Sequence, residues 1–513
     1  MRDILDAGIN VLVQLVAKTA EDGDALSLSC NPDLTLDLAP RMRDRARRGE
    51  KVALLAQVNR NLPFMYGDAV VPPDYFDAVV DDPKYDFPLF APPNTSVSTV
   101  DYLIALHVSA LIRDGGTLQL GIGSLGDAIT YLLKLRHEHN DVYRDVLSHA
   151  GILDRFGEVI ERAGGIGPFE RGLYASTEML VHGFIELYRC GVLKRRVHDD
   201  AAIQHLLDAG SASEQVAGTH VAHACFFLGP QRFYEALREM DRCDREQFCM
   251  TGIGFVNQLY GQEELKRLQR KEARFVNTGL IVTLSGAVNS DALEDGRVVS
   301  GVGGQYNFVA MAHALEDGRS ILLIRSTREE NGALRSNTRW TYGSITIPRH
   351  LRDIVVTEYG IADVRGRIDE DVATALIQIA DSRFQDELLQ EAQRAGKIAS
   401  RYRIPDWCRG NRPEMLDQML APYRARGLFP PFPFGTDLTH EEIVLKKALE
   451  HLKHAVERRR GLMPAPHVLR RVIILPREAR PYLEHMRLDA PRTLKERLLQ
   501  RAVVYALASI NAI

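Results

Sequence analysis

Cysteine is scarce. There are six in 513 residues (Cys30, Cys190, Cys225, Cys243, Cys249 and Cys408), with no C-x-x-C spacing among them. That excludes a disulfide scaffold, predicts a reducing compartment and speaks against a structural zinc site, so no metal is expected. Long apolar runs are missing too, since none approaches the ~18 residues that span a bilayer. The apolar segment Ala7–Ala17 contains Asn10 and Gln14 and leads into acidic residues, not into a small-residue cleavage site. It reads as a buried strand, and a cytoplasmic location without membrane association is the expectation. Charge of one sign is also lacking. With 64 Lys and Arg against 68 Asp and Glu, the net charge of −4 gives no pull toward nucleic acid or anionic lipid. The 39 glycines and 23 prolines follow no strict period, which removes collagen-like and low-complexity readings. What remains is a chain 45% hydrophobic and 26% charged, typical of a folded globular protein. Its length exceeds what one core supports, so two or three domains are predicted.

Short apolar runs alternate with helical periods through about residue 400. Strands are predicted at Ile9–Val16, Val52–Val58, Thr117–Gly121, Phe275–Leu284, Ser320–Ile324 and Ile354–Thr357, with helices around Arg41–Arg48 and over Val100–Arg113. This alternation predicts an α/β protein with mostly parallel sheets. In such sheets ligands bind beyond the carboxyl ends of the strands, where glycine-rich turns let the backbone approach. After about residue 400 the texture changes. Pro413 and Pro422 interrupt any long element, and Pro430–Phe434 reads as a linker or a docking segment. Thr439 followed by Glu442 is a capping box opening a helix predicted to run to Arg460. Residues 441–480 hold ten Lys and Arg against five Asp and Glu, without interleaved aromatics. A solvated helical face accounts for that surplus better than a nucleic-acid site.

Four segments could carry chemistry. LQLGIGSLGDAI places Gly121, Gly123 and Gly126 between a strand and a helix. The G-x-G-x-x-G context is right, but no acidic residue ends a second strand about 20 residues on, so a nicotinamide cofactor is disfavoured. SGVGGQYNF crowds Gly301, Gly303 and Gly304 ahead of Gln305 and a helix, a pattern suited to an oxyanion or phosphate on backbone N–H groups. IVVTEYGIADVRGR carries Glu358, Gly360 and Gly366; Glu358 is a candidate base or, preferably, an acceptor for loop amides. In STEM, Glu178 is a candidate base that could equally cap or pair.

Taken together, AQVNRNLPFMYGD, DGGTLQLGIGS, STEM, SGVGGQYNF and TIPRHLRDIVVTEYGIADVRG, in this order over residues 10–395, resemble the acetyl-CoA hydrolase/CoA-transferase family. The resemblance implies two α/β CoA-transferase-like domains, at 1–205 and 206–400, with a mainly helical extension over 401–513. It implies coenzyme A as a substrate, with glycine turns holding the thioester oxygen and CoA. By motif position these are Gly121, Ile122 and Gly123, then Gly303, Gly304 and Gln305, then Gly360 and Gly366.

Three departures qualify what is implied. The family's nucleophilic glutamate lies in N-x-A-L-E-V-D-L-x-G; in NTGLIVTLSGAVNSD its place holds Ile281, which cannot form an anhydride. Less of the N-terminal domain precedes Ile9–Val16 than family members carry, so the first domain is expected to be partial. Residues 135–172 read as an insertion. The expectation is therefore an acyl-CoA hydrolase or CoA-transferase working without a glutamyl-CoA step, with Glu178 and Glu358 as candidate bases. Its partners would be acyl-CoA and a small carboxylate or water, with no nucleic acid and no membrane; a homo-oligomer is allowed. The alternative is a catalytically silent acyl-CoA-binding or scaffold protein.

Overall fold

A computed structural model describes residues 2–210, 219–330, 332–458, 475–510 and 512–513. The chain divides into two compact units, one of Met1–Ser326 with Ser336–Gly435, the other of Thr327–Arg335 with Thr436–Ile513.

The first unit is built on an eight-stranded sheet. Its order is Gly360–Asp363, Ile354–Thr357, Arg319–Leu323, Ala273–Thr278, Thr117–Gln119, Tyr174–Leu180, Ala222–Phe227 and Phe248–Met250. Every neighbouring pair is parallel except Ile354–Thr357 with Gly360–Asp363, which turns back antiparallel at one edge. Parallel strands need crossovers, and the intervening segments supply them. The strands are buried on both faces, mostly by apolar residues, with Gln119, Ser176, Thr177 and His223 among the buried polar ones. The helix Thr99–Leu111 follows suit: eleven of its residues are buried, and a Ser98–Asp101 capping box starts it. The boundary expected near residue 205 falls between Tyr174–Leu180 and Ala222–Phe227, which are paired in this one sheet.

Several expectations shift in detail. The first strand runs Val11–Val16 and pairs in parallel with Ala53–Val58 in a separate three-stranded sheet. It is not buried throughout, because it is an edge strand: Val13 is 68% exposed. The run expected as one strand over Phe275–Leu284 breaks at Gly279 and Leu280. It becomes Ala273–Thr278 in the large sheet and Ile281–Thr283 in a small one. A Cβ at Gly279 would lie 2.6 Å from Val288 Cγ1 and 2.7 Å from Ile324 Cδ1, so the chain changes sheets where only glycine fits. Residues 135–172 form the helices Asn140–His149 and Ile152–Ala163. Pro413 does not interrupt a helix but opens one, Pro413–Arg424, from the N-terminal turn where its missing N–H costs nothing. Pro430–Phe434 docks: Val97 N–H donates to Pro431 O at 2.7 Å, Tyr102 Oη to Pro430 O at 2.6 Å, and Arg232 to Phe434 O at 2.9 Å.

The second unit carries the helices His440–Arg458, Arg480–His485 and Leu494–Ser509. The Thr439–Glu442 capping box forms in both directions, at 3.2 and 2.8 Å. Arg459 and Arg460 lie outside the described residues. Leu445, Ala448, Leu483, Val504 and Leu507 make its core. Leu494 and Leu498, in the first turns of the last helix, are 80% and 67% exposed. The apolar stripe therefore closes only toward the end of that helix.

One buried cation organises the amino ends of the large sheet. Arg274, in the central strand, is 2% exposed. Its guanidinium donates to Leu111 O and Ala163 O, the last carbonyls of the helices Thr99–Leu111 and Ile152–Ala163, and to Asp317 O beyond the helix Gln305–Ala314. Helix C-termini leave carbonyls unpaired and favour a cation, and one side chain answers two of them together with a loop carbonyl. Burial holds its pKa down at about 10, against the raising effect of Glu272 at 3.1 Å, so it stays charged at neutral pH. Arg274→Leu should strand these acceptors and cost about 3 kcal/mol or more. A urea unfolding midpoint equal to the parent protein's would contradict this.

Candidate functional site

The carboxyl ends of three adjacent strands converge. Thr117–Gln119 leads into Gly121, Ile122 and Gly123 before the helix Ser124–Glu138. Gly123 has φ of +113°, a conformation glycine alone adopts freely. Tyr174–Leu180 carries Glu178 near its carboxyl end. Ala273–Thr278 ends beside the loop of Gly303 and Gly304, where Gln305 starts a helix and donates to Thr278 O at 3.0 Å. Across the strands, Asn277 donates to Gln119 Oε1 at 3.1 Å.

Glu178 joins two of these pieces. Gly304 N–H donates to its Oε2 at 2.6 Å, and the Asn257 amide also hydrogen-bonds it. A Cβ on Gly304 would overlap that carboxylate, and Gly303 sits at φ +57°. Burial raises the Glu178 pKa, opposed by the Gly304 and Asn257 hydrogen bonds and reinforced by the charge of Asp33. A partly desolvated carboxylate with a raised pKa is a better base than an exposed one.

A cavity of about 180 Å³ opens at the first glycine loop, lined by Gly121, Ile122, Gly123, Asp127, His182 and Gly229 among others. Asp127 is a residue the sequence reading missed. It sits in the first helical turn, accepts from Asn94 Nδ2 at 3.1 Å, and burial pushes its pKa up to about 6. An acid at a helix start is unremarkable in a sequence; burial sets this one apart.

Glu358 is elsewhere and otherwise occupied. It is 4% exposed, and its two oxygens accept from Ser326 N at 3.0 Å and from Ser326 Oγ. That is the loop-amide acceptor preferred from sequence. Gly360 and Gly366 are not brought to the Glu178 cluster. Gly360 begins the antiparallel edge strand under Phe156 and Ile379, where any Cβ would collide, so packing explains it. Gly366 follows the end of that returning strand, at the amino edge of the sheet. It borders a cavity of about 470 Å³ lined by Arg162, Arg319, Arg365 and Arg367 with Asp363 and Asp371.

Ile281 is 2% exposed and pairs across an antiparallel ladder with Asn289. Val282 and Val288 point into an aliphatic cluster, so Ile281 and Asn289 share the other face. Asn289 is fully buried, and neither its Oδ1 nor its Nδ2 has a partner among the described residues.

Residues 229–392 match the acetyl-CoA hydrolase/transferase C-terminal domain. That segment carries the family's C-terminal domain, and the matching relatives are CoA-transferases. The 4-hydroxybutyrate coenzyme A transferase of Clostridium kluyveri is 25% identical over 342 residues, 66% of this chain and 64% of that one. A probable butyrate:acetyl-CoA coenzyme A-transferase of Syntrophomonas wolfei is 39% identical over 122 residues, 23% of this chain and 27% of its own length. The crystal structure of RipA from Yersinia pestis shares the fold, with 24% identity and a TM-score of 0.56 over 77% of this chain and 72% of that one. This chain thus spans somewhat under two thirds of the Clostridium protein's length. Relatives and fold agree with the resemblance read from the glycine-rich segments.

The raised Asp127 pKa has a consequence for stability. Folded, Asp127 holds its proton up to about 6, against an ordinary value of 3.8. The folded state therefore binds more protons between these values, and the group's contribution is lost as pH rises through 6. Asp127→Asn should stabilise the protein at pH 7 by on the order of 1–2 kcal/mol and flatten the slope between pH 4 and 6. Parallel melting profiles of variant and parent across that window would refute the assignment.

Proposed function

We propose that this protein binds an acyl-CoA of the acetyl-CoA type and either hydrolyses it or passes CoA to a small carboxylate, without a glutamyl-CoA intermediate. The observation that carries this reading is the Glu178 carboxylate, held by Gly304 N–H at the sheet edge where the other glycine loop also opens. Gly121, Ile122, Gly123, Gly303, Gly304 and Gln305 are the proposed contacts to the CoA thioester, with the N–H groups of Gly121, Ile122, Gly123 and Gly303 meeting its carbonyl oxygen or phosphates, since the Gly304 N–H is held by Glu178. Glu178 is the proposed base, and Glu358, with both oxygens engaged by Ser326, is the weaker candidate. In hydrolysis Glu178 takes a proton from water, the water oxygen bonds to the thioester carbon, the C–S bond breaks with its electron pair on sulfur, and Glu178 returns the proton so that CoA leaves as its thiol and the acyl group as the carboxylic acid. Relatives named as CoA-transferases of 4-hydroxybutyrate and butyrate support the substrate class. Neither nucleic acid nor membrane enters this reading; among the described residues no helix is long and apolar enough to cross a membrane.

A second reading is supported by Ile281. If it stands in the nucleophile's place, its aliphatic, buried side chain fits a protein that binds acyl-CoA without turning it over. Release of free thiol from acetyl-CoA separates the two. Glu178→Gln should lower that rate by about 10²–10⁴-fold while CoA still binds, as expected on losing a general base. Gly303→Val should abolish binding itself, because a branched side chain at φ +57° is strained and fills the approach. Calorimetry showing no CoA binding by the folded parent protein would overturn both readings.

The missing covalent step is testable by mass spectrometry. Incubation with acyl-CoA should leave no CoA adduct on the parent chain and no ping-pong kinetics. Ile281→Glu would place a carboxylate opposite Asn289 in an apolar setting that raises its pKa. At most weak transferase activity and some loss of stability are expected. An adduct on Glu178, Glu294 or Glu358 of the parent would refute the non-covalent mechanism.

A further inference from the structure

At the other edge of the sheet, away from the glycine loops, four potential ligands meet. The side-chain donor atoms of Asp199, His220, His223 and Cys249 all lie within 4.8 Å of one another. Two neighbouring parallel strands and the loops entering them supply the set. His223 is the second residue of Ala222–Phe227, and Cys249, its partner in the parallel register, is the second of Phe248–Met250. His220 lies in the run into the first of these strands, bridged to Val197, and Asp199 follows two residues after Val197. Asp199 holds both imidazoles: Oδ2 is 3.1 Å from His220 Nδ1, and Oδ1 is 3.0 Å from His223 Nε2.

We propose that Asp199, His220, His223 and Cys249 form a structural site for a zinc-class divalent transition-metal ion. One thiolate, two imidazoles and a carboxylate make a four-coordinate donor set of the kind zinc takes. A tetrahedral ion with bonds of about 2.0–2.3 Å spaces its donors roughly 3.3–3.8 Å apart, so a contraction of about 1 Å turns the cluster into a coordination shell. Charge also fits, because Asp199 and a Cys249 thiolate together neutralise a dication. That balance matters where His223 and Cys249 are 1% and 4% exposed.

The surroundings support ligation. The His223 ring is fixed from behind by the Tyr174 hydroxyl, 2.7 Å from its Nδ1, the outer hydrogen bond that orients a ligating histidine. Gly67 closes over the sulfur, since a Cβ there would overlap Cys249 Sγ. On binding, the Cys249 S–H bond breaks, its proton goes to solvent, and the sulfur bonds to the metal.

Four protein ligands leave no open coordination position, and the site lies at the amino edge of the strands. The ion would therefore staple the edge strand Phe248–Met250 to the segment around Asp199, and take no part in thioester chemistry.

The test is metal binding by the whole protein after stripping with a chelator. Titration with cobalt(II) should give one equivalent per chain and a thiolate-to-cobalt charge-transfer absorption. Zinc(II) should displace the cobalt and raise the melting temperature. Cys249→Ser should lose the charge-transfer band. Tyr174→Phe should weaken binding about 10–100-fold, as loss of an outer hydrogen bond does. If Cys249→Ser does not fold, His220→Ala, nearer the surface, should lower cobalt affinity in its place. A folded protein that takes up no stoichiometric cobalt or zinc, a charge-transfer band that persists in Cys249→Ser, or unchanged affinity in His220→Ala would each overturn the proposal. None of these readouts depends on CoA turnover.

Discussion

The large sheet depends on a cation buried at its base. Arg274 sits among the first residues of the central strand, and the helices Thr99–Leu111 and Ile152–Ala163 end on its guanidinium. Those carbonyls point inward, where water cannot reach them, and a buried acceptor left unpaired is costly. One side chain with five donors meets this need and also matches the negative ends of the helix dipoles. The central strand is thereby held in place between Arg319–Leu323 and Thr117–Gln119, the latter leading into the first glycine loop.

With the amino ends tied, the carboxyl ends are free to be irregular. There the backbone adopts positive φ at Gly123 and Gly303, and a carboxylate is drawn onto a backbone amide at Gly304. Strained, polar and partly buried features gather on one side of the sheet, aliphatic packing and helix ends on the other. That division is the usual one in open parallel sheets, where ligands sit beyond the strand carboxyl ends. The cluster of Asp199, His220, His223 and Cys249 lies on the opposite side, so its chemistry reads as reinforcement of an edge strand.

Much of this architecture was legible in the amino-acid order. The apolar runs named most of the large sheet's central strands, because a strand buried on both faces must be continuously apolar. The capping boxes at Thr439 and glycine turns at Gly121 and Gly303 were visible for equally local reasons. The errors were also physical. Val11–Val16 looks like a core strand but lies at an edge. The apolar run Phe275–Leu284 hides a break at Gly279, since both pieces are buried, in different sheets. Gly360 has a conspicuous motif and a packing role.

By itself the sequence determined the fold class, the glycine turns and the aliphatic residue at position 281, since each follows from residue type and short-range spacing. Tertiary structure alone decided what surrounds each carboxylate. Glu178 and Glu358 look alike in the chain, but one meets a glycine loop and the other is consumed by Ser326. Asp127 gained its raised pKa only from burial, a property no local pattern encodes. The same holds for Asp199, His220, His223 and Cys249. A lone cysteine without a C-x-x-C partner argues against a metal, and only parallel strand pairing puts Cys249 beside His223, 26 positions earlier in the chain.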